Sequence, residues 1–146
     1  YVVLSQEELM LIIPSGHPAA ERFSSSDTEI PTISLRELQY EPFVLMDKNS
    51  TLRSVCDTAF QKAGFTPNIL FETNNTSGIA SMVESTFCCG IIPWYYVSQP
   101  SKKLTRFHIE ERPVWDVAVS YSKNNYLNSG AREFIQLAKK WWDSIS

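Results

Sequence analysis

The spacing of hydrophobic and polar residues predicts an α/β domain in which strands and helices alternate. Residues 43–46 are short and apolar, as expected for a strand buried on both faces. Across residues 52–63 the apolar positions follow the i, i+3, i+4, i+7 spacing of one helix face, and Gly64 supplies a C-terminal stop. A second strand at 68–72 and a third at 90–93 enclose another helix. Short connections between buried strands favour parallel pairing with right-handed crossovers.

The flanking segments add further strands and a closing helix. Residues 1–4 and 8–13 are predicted to be extended before this unit. After it, residues 104–110 and 114–121 read as strands because apolar side chains alternate along them. Apolar residues recur at helical spacing over 131–145, which predicts the closing helix.

Composition and charge exclude several classes of protein. The chain has 146 residues, of which 43% are hydrophobic and 20% are charged, so it is too apolar for a disordered tail. A net charge of −3 is unlike the basic face that nucleic-acid binding requires. No apolar run approaches the roughly 20 residues that cross a bilayer, and we expect no membrane association.

The cysteines and histidines predict neither a disulfide framework nor a metal site. Cys56, Cys88 and Cys89 are three in number and form no CxxC motif. His17 and His108 are too far apart in sequence for a zinc pattern. We therefore expect no metal and no cofactor, and a reducing, cytoplasmic location.

Polar residues follow two neighbouring parallel strands, where helices begin. Ser50 and Thr51 follow the first strand, and Asn75 and Thr76 follow the second. Ligands bind at this edge of a parallel sheet, and free N–H groups with the positive end of a helix dipole suit a small anion or carboxylate. Helix capping alone also explains either turn. Ser81, one turn into the second helix, faces either the same cleft or solvent.

Catalysis is the weaker interpretation of this edge. Asp47 and Glu72 end adjacent predicted strands and could form a paired-carboxylate acid and base. The sequence contains no GxGxxG, phosphate-loop, GxSxG or HExxH motif. From the residues alone, the chain is predicted to be a ligand-binding domain without catalytic residues.

Four stretches of the chain resemble the effector-binding region of LysR-type transcriptional regulators. They are EELMLIIPSGHPAA, ISLRELQYEPFVLMDKNSTLRSVCDTAFQKAGFTPNILFE, SGIASMVESTFCCGIIPW and LNSGAREFIQLAKKWW. Hydrophobic spacing and turn residues agree with the family in sequence order, and the stretches cover nearly the whole chain.

The resemblance implies a periplasmic-binding-protein-like (type 2) fold with two α/β lobes around an effector cleft. Residues 43–122 would form a complete second lobe, and residues 1–42 and 123–146 would belong to a partial first lobe. The family's winged helix-turn-helix DNA-binding domain would precede Tyr1 and is absent from this chain. The implied partners are a small-molecule effector, further copies of the protein in a homo-oligomer, and DNA through the missing domain.

The resemblance also implies which residues contact the effector. Val2 and Val3 would lie at the floor of the cleft. The family pattern V-x-x-G-x-G is broken here, because Thr86 and Cys88 replace two glycines that tolerate a positive φ. The residues that match family effector positions are Ser50, Thr51, Asn75, Thr76, Ser81, Ile91 and Pro93.

Three functions follow in order of preference. The first is a co-inducer-sensing domain of a bacterial LysR-type regulator, which binds an effector between two lobes to control transcription. The second is a secreted solute-binding protein of similar fold. The third is an enzyme that uses Asp47 and Glu72.

Overall fold

A single long strand at the start of the chain pairs with three other strands. The computed structural model describes residues 2–23, 29–119 and 129–145. Within these ranges the strands are β1 (Val2–Pro14), β2 (Thr32–Ile33), β3 (Pro42–Met46), β4 (Asn68–Thr73), β5 (Cys89–Pro93), β6 (Leu104–Ile109) and β7 (Val114–Val119). The helices are α1 (Pro18–Arg22), α2 (Thr51–Ala63), α3 (Thr76–Thr86) and α4 (Ser129–Ile145), with short 3-10 helices at Leu35–Leu38 and Trp94–Val97.

Strand β1 pairs with different neighbours along its two halves. Its first half, as far as Glu8, is antiparallel to β7. From Leu9 onward it is antiparallel to β5 on one side, and from Met10 onward it is antiparallel to β6 on the other. The strand order of the larger sheet is β2-β6-β1-β5-β3-β4. Helix α4 packs against β1. Thus β1 joins β7 and α4 to the larger sheet.

The predicted strand–helix–strand–helix–strand unit is confirmed. Strand β3 lies between β4 and β5 and is parallel to both. Helix α2 ends where predicted, at Gly64, which has φ 85° and donates its N–H to the Phe60 and Gln61 carbonyls. The buried character expected of the strands holds for β3 and β5 but not for β4. Strand β4 is at the sheet edge, and its Leu70 is 51% exposed.

The larger sheet extends beyond the predicted lobe boundary at residue 43. Leu11 and Ile13 of β1 pack in one core layer with Phe43 and with Leu35 of the first 3-10 helix. Strands β1 and β2 and the first 3-10 helix therefore contribute to the same core layer as β3, and the limits of the two lobes stay a prediction. The sequence does not show this because hydrophobic alternation marks a strand without identifying its neighbours. Residues 120–122, at the end of the predicted second lobe, and residues 123–128 of the predicted first lobe lie outside the described residues.

Two core layers cover the faces of the larger sheet. On one face, the Phe43 and Phe60 rings of β3 and α2 meet edge-to-face at 5.1 Å. On the other face, α3 packs directly over β5. A Cβ atom added to Gly90 would lie 2.7 Å from Val83 Cγ2 and 2.8 Å from Ile79 Cγ2. Only glycine at position 90 permits this close approach of helix and strand.

The turn after α3 differs from the expected one. The positive φ falls at Phe87, with φ 58° and ψ 40°, and not at Thr86 or Cys88. The Thr86 hydroxyl donates a hydrogen bond to the Met82 carbonyl, which closes the last helical turn. The Phe87 ring stacks on His17 at a centroid distance of 5.4 Å. This ring contact supports a backbone conformation that bulky residues rarely adopt.

All three cysteines are buried free thiols, and this predicts low reactivity. Burial raises the pKa of the Cys56 thiol from 9.0 to about 12, with a smaller contribution from Asp57. Burial also raises the pKa of Cys89 to about 12, with smaller contributions from Glu41 and Cys88. At pH 8 we expect Cys56 and Cys89 to react with Ellman's reagent about 1000-fold more slowly than in the guanidinium-unfolded chain, in proportion to the thiolate population.

A Ser54→Cys variant supplies the control, because position 54 is exposed on α2 and its thiol is expected to react at once. Rapid modification of Cys56 or Cys89 in the native protein would contradict the prediction.

The native state also holds the thiol protons of these two cysteines more tightly than the unfolded state. The free energy of unfolding, measured by urea denaturation at a series of pH values, is therefore expected to fall as the pH rises from about 9 toward about 12.

Candidate ligand site

The N-termini of α2 and α3 meet at the carboxyl end of β3. The Met46 carbonyl accepts a hydrogen bond of 2.9 Å from Arg53 Nη1 of α2. The Met46 sulfur lies 3.6 Å from the Thr76 hydroxyl at the start of α3. The two helix starts thus contact the same residue, on the sheet edge where the sequence places them.

Ser50 caps α2 in a way that leaves a donor free. Its Oγ accepts from the Arg53 backbone N–H at 3.0 Å, and its own N–H donates to the Asp47 carbonyl at 3.0 Å. A serine hydroxyl can donate one hydrogen bond while it accepts another. Thr51 is the first residue of the helix and is exposed. The first turn therefore presents a hydroxyl and backbone N–H groups at the positive end of the helix.

Asn75 caps α3 through its side-chain oxygen, which accepts two hydrogen bonds. Its Oδ1 accepts from the Ser77 N–H at 3.1 Å and from the Ser77 hydroxyl at 2.8 Å. Its backbone N–H donates to the Thr73 hydroxyl at 3.1 Å. Thr76 is half-buried, and its hydroxyl donates to the weak acceptor sulfur of Met46. The Thr76 hydroxyl and the Asn75 side-chain amide are the donor side chains that this helix start offers to a ligand.

Arg53 is a buried residue of this edge that the sequence analysis missed. Its Nε donates to Asp57 Oδ1 at 2.9 Å, and its Nη1 lies 3.3 Å from Glu72 Oε2 as well as bonding the Met46 carbonyl. These contacts join α2 to the ends of β3 and β4. The available signal was one charged residue beside Leu52 on the buried face of α2, with an aspartate four residues later.

The Arg53 contacts weaken the catalytic interpretation. Glu72 is paired with Arg53, while Asp47 is exposed in the turn before α2. Among the residues that the structure describes, no group of His, Cys, Asp or Glu could hold a metal ion. No helix in the described ranges is long and apolar enough to cross a membrane.

Three predicted contact residues lie away from this pair of helix starts. Ser81 is exposed one turn further along α3. Ile91 is 1% exposed and packs in the core layer beneath α2. Pro93 is buried opposite Leu9 of β1. The side chains of Ile91 and Pro93 are therefore buried in this structure.

The contacts of Arg53 predict a structural role. An Arg53→Met variant keeps the length of the side chain but leaves the Met46 carbonyl without this donor. We expect the free energy of unfolding to fall by about 1–3 kcal/mol, measured by urea denaturation. Arg36→Met, at an exposed position, is the matched control and is expected to change it by less than about 0.5 kcal/mol. Equal effects of the two substitutions would contradict this role.

Two curated relatives resemble the chain over most of its length. The HTH-type transcriptional regulator YwbI of Bacillus subtilis is 28% identical over 141 residues, which cover 94% of this chain and 44% of YwbI. YybE of the same organism is 29% identical over 141 residues, covering 93% of this chain and 44% of YybE. The chain thus spans less than half the length of these relatives.

Solved structures share the fold at low sequence identity. The cofactor-binding domain of the Cbl transcriptional regulator superposes with a TM-score of 0.75 at 17% identity, over 92% of this chain and 57% of that one. A LysR family protein, PA01 of Pseudomonas aeruginosa, gives a TM-score of 0.73 at 21% identity, over 96% and 47%. The effector binding domain of QuiR in complex with shikimate gives 0.69 at 17% identity, over 96% and 63%.

The family comparison covers almost every element described above. The model of the LysR substrate binding domain matches residues 1–143, from β1 into the last turn of α4. The periplasmic-binding-protein-like α/β fold expected from the resemblance agrees with the structural neighbours. The chain belongs to the LysR substrate binding domain family.

Proposed function

We propose that this chain binds a small anionic effector for a LysR-type transcriptional regulator. The observation that carries the proposal is the meeting of two helix N-termini at Met46. Each end contributes about 0.3–1 kcal/mol of favourable interaction with an anion when exposed, and up to about 2 kcal/mol when partly buried. The hydroxyls of Ser50 and Thr76 add two donors to the same edge.

Support for an anion comes from the backbone and hydroxyl groups of this edge and not from side-chain charges. Arg53 lies behind the two helix starts, although Asp57 and Glu72 already share its charge. Backbone N–H groups, hydroxyls and helix dipoles recognise a carboxylate or phosphate without needing a further basic side chain. Two structural neighbours are complexes with small organic ligands, shikimate for QuiR and 2-PG for the Synechocystis CcmR regulatory domain.

The proposed mechanism uses β1 as the connection between two lobes. In it, β7, α4 and the first half of β1 belong to a first lobe completed by other parts of the protein. The effector would bind between that lobe and the edge formed by α2 and α3. An effector alters the angle between lobes only if its affinity differs between the two arrangements. The proposal includes a cytoplasmic homo-oligomer that contacts DNA through a separate domain.

The alternatives have less support. The enzyme interpretation requires Glu72 as a free acid or base, whereas Arg53 engages it. The solute-binding interpretation requires a secreted protein, and the relatives of this chain are named as transcriptional regulators.

The proposal predicts that two hydroxyls control effector affinity. The full-length protein is first screened by thermal shift against shikimate, 2-PG, acetate and inorganic phosphate. The strongest binder is then titrated by calorimetry into the wild type and into a Ser50→Ala, Thr76→Ala double variant. We expect at least about tenfold weaker binding, because each hydroxyl would donate a hydrogen bond to a charged group.

A matched double variant on the outer surface of α2, Ser54→Ala with Thr58→Ala, controls for loss of hydroxyls in general. Both positions are exposed, and the effector affinity of this control variant is expected to stay within about twofold of wild type. Circular dichroism confirms that each variant is folded. The proposal fails if none of the four compounds binds, or if the Ser50, Thr76 variant binds as tightly as wild type.

A further inference from the structure

Met46 carries a thioether at the point where the two helix starts meet. Its side chain is partly buried and packs against both core layers of the larger sheet. Its sulfur lies 3.6 Å from the Thr76 hydroxyl, which donates to it. A thioether is a weak acceptor, so this contact leaves the hydroxyl largely available to a ligand. The chemical state of one sulfur atom therefore decides how the Thr76 hydroxyl is used.

The other two methionines of the chain have different surroundings. Met10 of β1 is fully buried in the core layer beneath α3. Met82 of α3 is partly buried against the same layer, about 9 Å further along the helix axis than Thr76. Among the described residues, Met46 is the methionine whose sulfur contacts a donor of the proposed anion site.

The cysteines of the chain are poor competitors for an oxidant. Peroxides react with the thiolate form, which is abundant only where a cysteine has a low pKa and is accessible. All three cysteines are buried, and burial raises the pKa of Cys56 and of Cys89 to about 12. A thioether has no proton to lose before it reacts. In the proposed function an organic effector reaches Met46, and hydrogen peroxide is smaller than such an effector.

We propose that Met46 is a modification site, at which a peroxide forms methionine sulfoxide and thereby weakens anion binding. The thioether sulfur attacks one peroxide oxygen, the O–O bond breaks, and a sulfur–oxygen bond forms. The sulfur loses two electrons to the peroxide. The proton on the transferred oxygen passes to the leaving hydroxide, which departs as water. This inference rests on the proposed anion site, because the modification regulates that site.

The sulfoxide changes the site in two ways. Its oxygen is polar and accepts a hydrogen bond more strongly than the thioether sulfur, so the Thr76 hydroxyl donates to it and not to the ligand. The same oxygen carries partial negative charge, which repels a bound carboxylate or phosphate. Both effects lower the affinity for an anion. Methionine sulfoxide reductases return the residue to the thioether, so the effect is reversible.

Mass spectrometry of the full-length protein tests the modification site. The protein is exposed to hydrogen peroxide for a series of times and digested, and each methionine and cysteine peptide is quantified. We expect sulfoxide to form at Met46 at least about tenfold faster than at the buried Met10. Cys56 and Cys89 are expected to stay reduced over the same times. Equal rates at Met46 and Met10, or oxidation of these cysteines before Met46, would overturn the modification site.

Calorimetry tests the effect on anion binding. The probe is whichever of shikimate, 2-PG, acetate and inorganic phosphate binds the untreated full-length protein most tightly. We expect peroxide to weaken its binding to wild type at least about fivefold, and treatment with methionine sulfoxide reductases to restore it. Met46→Leu lacks the sulfur, and its affinities before and after peroxide are expected to agree within about twofold. Met82→Leu is the matched control and is expected to lose affinity as wild type does.

Met46→Gln tests the same effect without an oxidant. Glutamine has a similar length and carries an oxygen acceptor, so we expect it to bind the probe at least about fivefold more weakly than Met46→Leu. Circular dichroism confirms that both variants are folded. Equal affinities of the two variants, or an undiminished peroxide effect in Met46→Leu, would overturn the regulation. If none of the four compounds binds the untreated protein, the anion site itself fails, whereas the oxidation rates still decide the modification site.

Discussion

The structure depends on the hydrogen bonding of β1. Its Leu9–Pro14 half is buried and holds β5 on one side and β6 on the other, whereas its Val2–Glu8 half holds β7. Backbone pairing of this kind satisfies the polar groups of a strand that is otherwise buried among apolar side chains. Strand β5 pairs with β1, and β3 pairs with β5. The position of the two helix starts at the end of β3 therefore depends on β1.

The candidate anion site depends on backbone geometry. At the edge of the parallel strands, the helix starts supply dipoles and N–H groups, and Arg53 fixes α2 against the ends of β3 and β4. This arrangement suits an anion. Strand β1 pairs with β5, and β5 pairs with β3, so β1 connects this edge to the rest of the sheet.

Sequence patterns predicted the local elements, and the sheet edge at which α2 and α3 begin, better than the long-range contacts. Strand β3, helix α2 and the Gly64 stop follow from apolar spacing and from the conformational freedom of glycine, both of which are local. Arg53 was missed because its partners, the Met46 carbonyl and Glu72, are joined to it only by folding. The burial of β5 was expected from its short apolar run, whereas its pairing with β1, which is distant in sequence, was not.

The central claim is that an anion binds where α2 and α3 begin, and a crystal structure tests it most directly. Crystals of the full-length protein are grown with the carboxylate or phosphate that binds most tightly. The account predicts that the anion's oxygens lie about 3 Å from the first-turn N–H groups of α2 and α3 and from the hydroxyls of Ser50 and Thr76. An anion bound elsewhere, with this edge of the sheet empty, would contradict it.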